Sequence, residues 1–162
     1  MRIKLLISAS ILALVAGQAQ AATTTTTLGV SVTIAAACTV STSPIAFGTQ
    51  GVLAANVDQT GSVIVTCTKN TAYNIGFDQG ANGASVSARK MKGGATNTDL
   101  INYSLFRDAA RTSNWGNTVG TDTLAGNATG AADTVTVYGR IPVQATGTAG
   151  AYTDTVNVTV TY

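Results

Sequence analysis

The side chains of this chain that could do chemistry are few and widely separated. The chain has no histidine, and its 7 acidic residues are all aspartates that stand singly among turn residues. Without an imidazole, a serine or cysteine lacks the base that usually activates it as a nucleophile. The sequence shows no phosphate-binding loop or dinucleotide-binding fingerprint, because its glycines fall in predicted turns. The sequence therefore predicts neither an enzyme nor a bound cofactor.

The two cysteines, Cys38 and Cys67, are the other side chains with reactive potential. A tetrahedral zinc site needs four ligands, and two cysteines without any histidine do not supply them. In an exported chain, a single pair of cysteines is typical of one disulfide. We therefore expect a Cys38–Cys67 disulfide and no metal site.

The first 21 residues have the pattern of an export signal. Met1–Lys4 is basic, Leu5–Val15 is apolar, and Ala19-Gln20-Ala21 fits the small-x-small rule for cleavage between Ala21 and Ala22. The apolar stretch falls short of the ~20 residues that a membrane span needs, so a retained anchor is the weaker interpretation. We expect residues 1–21 to be removed on export.

Cleavage would also change the charge of the chain. The sequence has 9 basic and 7 acidic residues, and removing Arg2 and Lys4 leaves 7 of each, for a formal charge of zero. A neutral protein has no long-range field with which to attract nucleic acid or anionic lipid. Only 10% of the residues are charged, which favours association with other protein surfaces.

Short alternating runs of β-branched residues, separated by Gly, Asn and Asp, predict an all-β domain. Pro142 indicates an edge or a bend near the end of one run, the polar run 85–91 is typical of an edge, and Asn82-Gly83 is a hairpin signal. Strands at this spacing, with a disulfide, favour an immunoglobulin-like β-sandwich. The predicted strands cover residues 28–34, 62–68, 72–78, 85–91, 100–107, 134–143 and 155–162.

The segment before the first cysteine combines an apolar strand with a flexible leader. Gly29, Ser31 and Thr33 separate four apolar residues, so the four share one face of an extended strand. These four residues are Leu28, Val30, Val32 and Ile34. The threonines at 23–27 are either part of this strand or a linker. The strand is able to pair outside its own domain, or to serve as an ordinary first strand that continues toward Val40.

The other end of the sequence poses a matching problem. The final predicted strand has no residues after it to form a further strand and close the sandwich. An unpartnered sheet edge leaves a groove of apolar side chains and unpaired backbone groups, which an incoming extended segment can fill. We predict that such a groove is lined by the alternating residues Val156, Val158, Val160 and Tyr162. The alternative is that they are core residues only, and both roles are compatible.

Two further features lie in or near the long predicted loop 108–133. Trp115 is either an adhesive aromatic, a contact between subunits or a lid over the core. Arg107, Asp108 and Arg111 form a charge group at a strand end, which favours a structural ion pair or a turn cap over a binding role.

Four segments together resemble the pilin-type domains of the spore coat protein U family, which includes the major subunits of archaic chaperone–usher pili. The similarity spans essentially all of the chain after the signal. Its central segment resembles the family's Tyr-x-x-x-Arg-Asp-Ala-x-Arg, and its ending resembles the family's Gly-x-Tyr-x-Asp-x-Val/Leu-x-Val-x-Val strand. The segments are Ala37–Val40, Val63–Cys67, Tyr103–Arg111 and Gly150–Tyr162.

The resemblance implies an incomplete immunoglobulin-like β-sandwich of the pilin type that is completed by a donated strand. It divides the chain into a signal peptide (1–21), an N-terminal donor segment (22–34) and a pilin domain (35–162). A periplasmic chaperone would lend a strand first and would grip the terminal carboxylate at Tyr162. At an outer-membrane usher, the donor segment of the next subunit would then replace the chaperone's strand.

The function so implied is that of a structural subunit which polymerises with like subunits into a cell-surface fimbria for adhesion or biofilm formation. The alternative is a self-complete secreted binding or adhesin module that uses Trp115 and the long loop.

Overall fold

The computed structural model of the chain describes residues 20–162, so the predicted signal peptide lies outside it apart from Gln20 and Ala21. The chain divides into two units between Val32 and Thr33. In the first unit, residues 20–32 contain neither helix nor strand and are exposed throughout. The second unit, Thr33–Tyr162, is described in full; we call it the body. It contains nine strands and no helix.

The strands of the body are short, as β-branched residues punctuated by glycine predict. In chain order they are β1 (Cys38–Ser43), β2 (Val57–Cys67), β3 (Ala72–Phe77), β4 (Arg89–Gly93), β5 (Leu100–Phe106), β6 (Leu124–Asn127), β7 (Asp133–Ile141), β8 (Tyr152–Thr153) and β9 (Val158–Thr161).

Every strand pair is antiparallel, and the strands form two sheets. One sheet has six strands in the order β1-β2-β7-β5-β4-β8, and the other has three in the order β6-β3-β9. The chain changes sheets between β8 and β9, because β8 pairs with β4 whereas β9 pairs with β3. The all-β prediction is confirmed, and the two sheets share one apolar core.

The core is built from the inward-facing side chains of both sheets. Period-two alternation is visible in β7, where Val137, Gly139 and Ile141 are buried while Tyr138 and Arg140 are partly exposed. Cys38 lies opposite Cys67 in the β1–β2 register, and the two form the expected disulfide. The most deeply buried apolar side chains are Trp115, Ile75, Val63 and Val65.

Several strand predictions are confirmed with shifted bounds, and two expectations, for the run 85–91 and for Asn82-Gly83, are wrong. The run 85–91 becomes β4, which lies between β5 and β8 rather than at an edge. Of the edge or the bend that Pro142 indicated, the structure has the bend: β7 lies inside its sheet between β2 and β5, ends at Ile141, and the chain bends at Val143. Asn82-Gly83 does not close a hairpin, because the strands on either side of it, β3 and β4, belong to different sheets.

The two ends of the chain also differ from simple expectation. Residues 28–34 form no strand in the structure, and pairing begins only at Cys38. The predicted last strand, 155–162, is reduced to β9 because the chain is crossing between sheets over 154–157. β6 was missed, because Leu124–Asn127 carries one large apolar residue and stands among Gly, Asn and Thr.

Candidate strand-acceptor groove

An apolar groove opens in the body between two stretches of chain that are not paired with each other. One wall comes from the end of β1 and its continuation, residues 42–47, and the other from residues 152–158. The floor is made of core side chains from both sheets. The groove has a volume of about 460 Å³, and its floor includes Val63, Leu105, Val137 and Phe77.

A second cavity, of about 870 Å³, lies beside the first. It is lined by Leu53, Ile101 and Ile141 and by residues 146–151. The two cavities share the wall residues Ile45, Phe47, Met91 and Tyr152. The two cavities are therefore neighbours, and we call them together the groove.

Two glycines explain how the first wall sits so close to the six-stranded sheet. A Cβ atom on Gly61 would lie 2.7 Å from Cγ1 of Ile45, and one on Gly139 would lie 3.0 Å from Cζ of Phe47. Side chains at either position would push Ile45 and Phe47 away from the sheet. The glycines on β2 and β7 thus make room for the apolar wall.

The second wall ends in a strand with a free edge. Within residues 20–162, β9 pairs with β3 alone, with Val158 opposite Phe77 and Val160 opposite Ile75. Its valines are half-buried, and its threonines are exposed. A strand paired on one side only presents unpaired N–H and C=O groups to any extended segment that can reach it.

The predicted groove residues occupy different places. Val156 and Val158 line the groove. Val160 is half-buried against the core but does not line the groove, and Tyr162 is 60% exposed beyond the end of β9. The opposite wall falls in a stretch predicted as loop, although Ile45 and Phe47 alternate with Ala46 and carry a period-two signal that could have found it.

The predicted donor residues are among the most exposed apolar side chains of the described chain. Leu28 and Val30 are each 88% exposed, Val32 is 84% exposed, and Ile34 is 75% exposed. A row of exposed apolar residues of this kind is uncommon in a monomeric protein. Hydrogen bonding to the body's strands begins just after this row, where Thr68 donates to the carbonyls of Ala35 and Ala37.

Trp115 lies in the core rather than on the surface, so its proposed adhesive role is wrong. Its side chain is fully buried, its Nε1 donates to the carbonyl of Ile75 at 2.8 Å, and its ring meets Phe77 edge-on at 4.6 Å. The indole completes the core from a loop, as expected of a lid.

The charge group near the end of β5 is structural, as the sequence favoured. Asp108 accepts hydrogen bonds from the backbone N–H groups of Thr112 and Ser113, so it caps a turn. Nε of Arg111 lies 3.4 Å from Oδ1 of Asp58 in an ion pair. Arg107 donates a hydrogen bond to the carbonyl of Thr123.

Residues 20–162 hold no candidate metal centre and no candidate membrane helix. No three potential ligands among His, Cys, Asp and Glu come together there in a way that would hold a metal ion. The same residues include no helix of the length and apolarity needed to traverse a bilayer.

Comparison with known proteins agrees with this geometry. The model of the family described as the Spore Coat Protein U domain matches residues 24–159. Protein U of Myxococcus xanthus is 37% identical over 108 residues, which cover 64% of this chain and 59% of that protein. The chain thus spans about three-fifths of that relative's length.

A solved structure shares the fold. It is a chain in the crystal structure of the CsuC–CsuE chaperone–tip adhesion subunit pre-assembly complex from archaic chaperone–usher Csu pili of Acinetobacter baumannii. The TM-score is 0.54 at 22% identity, over 80% of this chain and 40% of that chain. The fold is therefore an immunoglobulin-like β-sandwich of the pilin type.

Proposed function

The chain belongs to the Spore Coat Protein U domain family, and on that premise we propose that it is a pilus subunit that polymerises by strand donation. The donor is residues 22–34, which we call the arm, and the acceptor is the groove of the next copy. The family and the pilin fold are structural rather than enzymatic, so the chain is not an enzyme.

The observation that carries this proposal is that the arm has a row of apolar side chains that pack against nothing, while the groove leaves apolar core side chains uncovered. Leu28, Val30, Val32 and Ile34 alternate along an exposed arm. The groove offers apolar walls and floor beside the free edge of β9. A strand inserted there gains ladder hydrogen bonds from the edge and buries alternate side chains in the slot.

Burial of the apolar row supplies the main favourable part of the free energy of strand insertion. Burying each of the four aliphatic side chains is worth about 1.5–3 kcal/mol, or about 6–12 kcal/mol together as an upper estimate. Ordering the arm opposes this gain, since each residue fixed costs about 1–2 kcal/mol of backbone entropy. Ladder hydrogen bonds along β9 contribute to the remaining balance.

A subunit with an open groove needs protection before assembly, because an apolar slot beside an unpaired edge invites aggregation. We propose that a periplasmic chaperone fills the groove first and that an outer-membrane usher exchanges it for the arm of the next subunit. The related solved structure comes from a chaperone–subunit complex, which supports such a partner. The product would be a cell-surface fimbria that serves adhesion or biofilm formation.

The test replaces one donor side chain and leaves the body untouched. Val30→Asp puts a charge into the apolar row and should abolish fibre growth, as followed by negative-stain electron microscopy and size-exclusion chromatography. Val119→Asp is the matched control, because Val119 is also exposed, at 53%, but belongs to a loop and does not line the groove. The control should polymerise like the parent.

A mixing experiment separates loss of donation from loss of folding. The Val30→Asp chain keeps an intact groove, so it should accept a parent's arm and end the growing fibre. Substoichiometric amounts should therefore shorten parental fibres. Fibres of parental length and yield from Val30→Asp alone would contradict donation by this segment.

A further inference from the structure

We infer that Asp154 and Asp78 act together as a clamp that holds one wall of the groove in place for an incoming strand. The inference rests on the proposed function, because it concerns how the acceptor groove is positioned. It assigns a role to two carboxylates that belong to no catalytic or metal site.

The clamp acts where the chain crosses from one sheet to the other. β8 pairs with β4 at Lys92 and Gly93, and β9 begins to pair with β3 at Val158. The residues between them, 154–157, belong to no strand. Asp154, Thr155 and Val156 nevertheless line the groove, so part of its wall receives no support from either ladder.

Asp154 ties this crossing segment to the core and to the loop that follows β3. Its Oδ2 accepts a hydrogen bond from the hydroxyl of Tyr103 at 2.6 Å. Its Oδ1 accepts from the backbone N–H of Ala81 at 3.0 Å and from Nδ2 of Asn82 at 2.9 Å. Burial, followed by the bond to Asp154, raises the pKa of Tyr103, so the phenol remains a donor at every physiological pH.

Asp78 holds the other end of the segment from the same loop. It accepts from the backbone N–H of Asn157 at 3.0 Å and from the Asn157 side chain at 2.6 Å. Burial opposes ionisation of Asp78, but the hydrogen bonds from Gly80 and Asn157 outweigh it and lower the pKa of this carboxyl. Two backbone bonds, Ala81 N–H to Thr155 and Asp78 N–H to Asn157, complete the attachment.

The loop after β3, which contains Asp78, Ala81 and Asn82, is itself fixed by the buried side chain of Arg89. Arg89 is fully buried and donates to the carbonyls of Phe77, Asp78, Val86 and Trp115 at 2.7–3.0 Å. The guanidinium thereby anchors the end of β3 and the start of the loop to the core. The crossing segment is thus held by a loop that is attached to the core, so displacing the segment requires breaking its bonds to that loop.

The arrangement matters because the held segment carries one apolar side chain, Val156, which lines the open groove. If the segment were released, Val156 would gain by sinking into the groove, since burial of apolar surface is favourable. That collapse would obstruct the site that the donor has to enter. Tyr103 itself lines the groove, so its bond to Asp154 fixes the crossing segment against the groove's own lining.

The experiment compares two aspartate substitutions in the full-length chain, each made together with Val30→Asp to prevent self-assembly. A fluorescent peptide of residues 22–34 is titrated and its anisotropy measured. Asp154→Ala should weaken peptide binding by about ten-fold or more. Asp133→Ala is the matched control, because Asp133 also accepts a tyrosine hydroxyl, that of Tyr73, but does not line the groove.

Amide hydrogen exchange supplies a second readout that general destabilisation would not reproduce. Asp154→Ala should speed exchange at Ala81 and at 155–157 without changing the β2–β7 ladder. Asp154→Asn, which keeps one acceptor oxygen, should recover part of the peptide affinity, and it serves also if the alanine variant fails to fold.

The outcomes separate the clamp from the proposed function. Parental affinity in Asp154→Ala would overturn the clamp, as would equal losses in Asp133→Ala. If the peptide fails to bind even the chain that carries Val30→Asp alone, strand donation is contradicted. The clamp is then tested by amide hydrogen exchange alone. Unchanged protection at Ala81 and Asn157 in Asp154→Ala would then overturn it.

Discussion

Trp115 shows how one side chain in a loop can complete the core of a sandwich. Its ring is fully buried against Phe77, and its N–H satisfies the carbonyl of Ile75. Trp115→Ala should lower the free energy of unfolding by about 3–5 kcal/mol, because it leaves a cavity and an unpaired carbonyl. Urea denaturation followed by far-ultraviolet circular dichroism measures this loss.

The exposed Val119 in the same loop is the control for Trp115. Val119→Ala should change the free energy of unfolding by less than about 0.5 kcal/mol. A Trp115→Ala protein as stable as this control would mean that the indole does not pack as described.

Individual titrating groups predict a broad plateau of stability with pH. The pKa of Asp78 is lowered from its ordinary value of 3.8, so its stabilising contribution is present above that pH and is lost on further acidification. Burial and the bond to Asp133 raise the pKa of Tyr73 to about 12, so its contribution is present below 10 and is lost as pH rises toward 12.

The melting temperature should therefore stay nearly constant from about pH 5 to pH 9 and fall on both sides. The chain has no histidine, so no side chain with an ordinary pKa titrates within that range. Differential scanning fluorimetry across pH 3–11 tests the profile. A transition near pH 6.5 would contradict it.

At the scale of elements, the groove depends on how closely segment 42–47 approaches the six-stranded sheet. Gly61→Ala places a methyl group about 2.7 Å from Ile45 and 2.8 Å from the carbonyl of Ser43. The wall must shift, at a cost of about 1–3 kcal/mol in stability. We expect weaker binding of the arm peptide as well, measured by the same anisotropy titration.

Gly51→Ala is the comparison for this change, since a Cβ there meets nothing within 4 Å. Gly51 also lines the groove. Equal losses of peptide affinity in both variants would therefore show that the close packing of segment 42–47 against the sheet does not determine peptide binding.

At the scale of the whole molecule, the body should be stabilised when an arm, residues 22–34, from another molecule fills its groove. A ligand that binds only the folded state raises stability by RT ln(1 + [L]/Kd), or about 2.7 kcal/mol at 100 times Kd. Adding the peptide 22–34 to the full-length Val30→Asp chain should therefore raise its melting temperature progressively with peptide concentration.

The control peptide carries Val30→Asp and should produce no comparable rise. Equal shifts from both peptides would indicate nonspecific binding rather than insertion of alternating side chains into the groove.

Local patterns in the sequence predicted the class of fold and the disulfide. Alternation of β-branched residues predicted most strands, because period-two burial is a property of the strand itself. Cys38 and Cys67 predicted their own disulfide, since only one pairing exists. The apolar row from Leu28 to Ile34 is evident from residue types and spacing alone, because alternation within one segment involves no tertiary contact.

The tertiary structure alone decided which segments meet. No local signal could show that Ile45 and Phe47 would face Val156 across a slot, because that pairing depends on how two sheets close around a core. The burial of Trp115 and the interior position of β4 were likewise decided by partners distant in sequence. Asp78 and Asp154 look like ordinary turn residues in the sequence, and only folding brings their carboxylates to the two ends of one crossing segment that belongs to no strand.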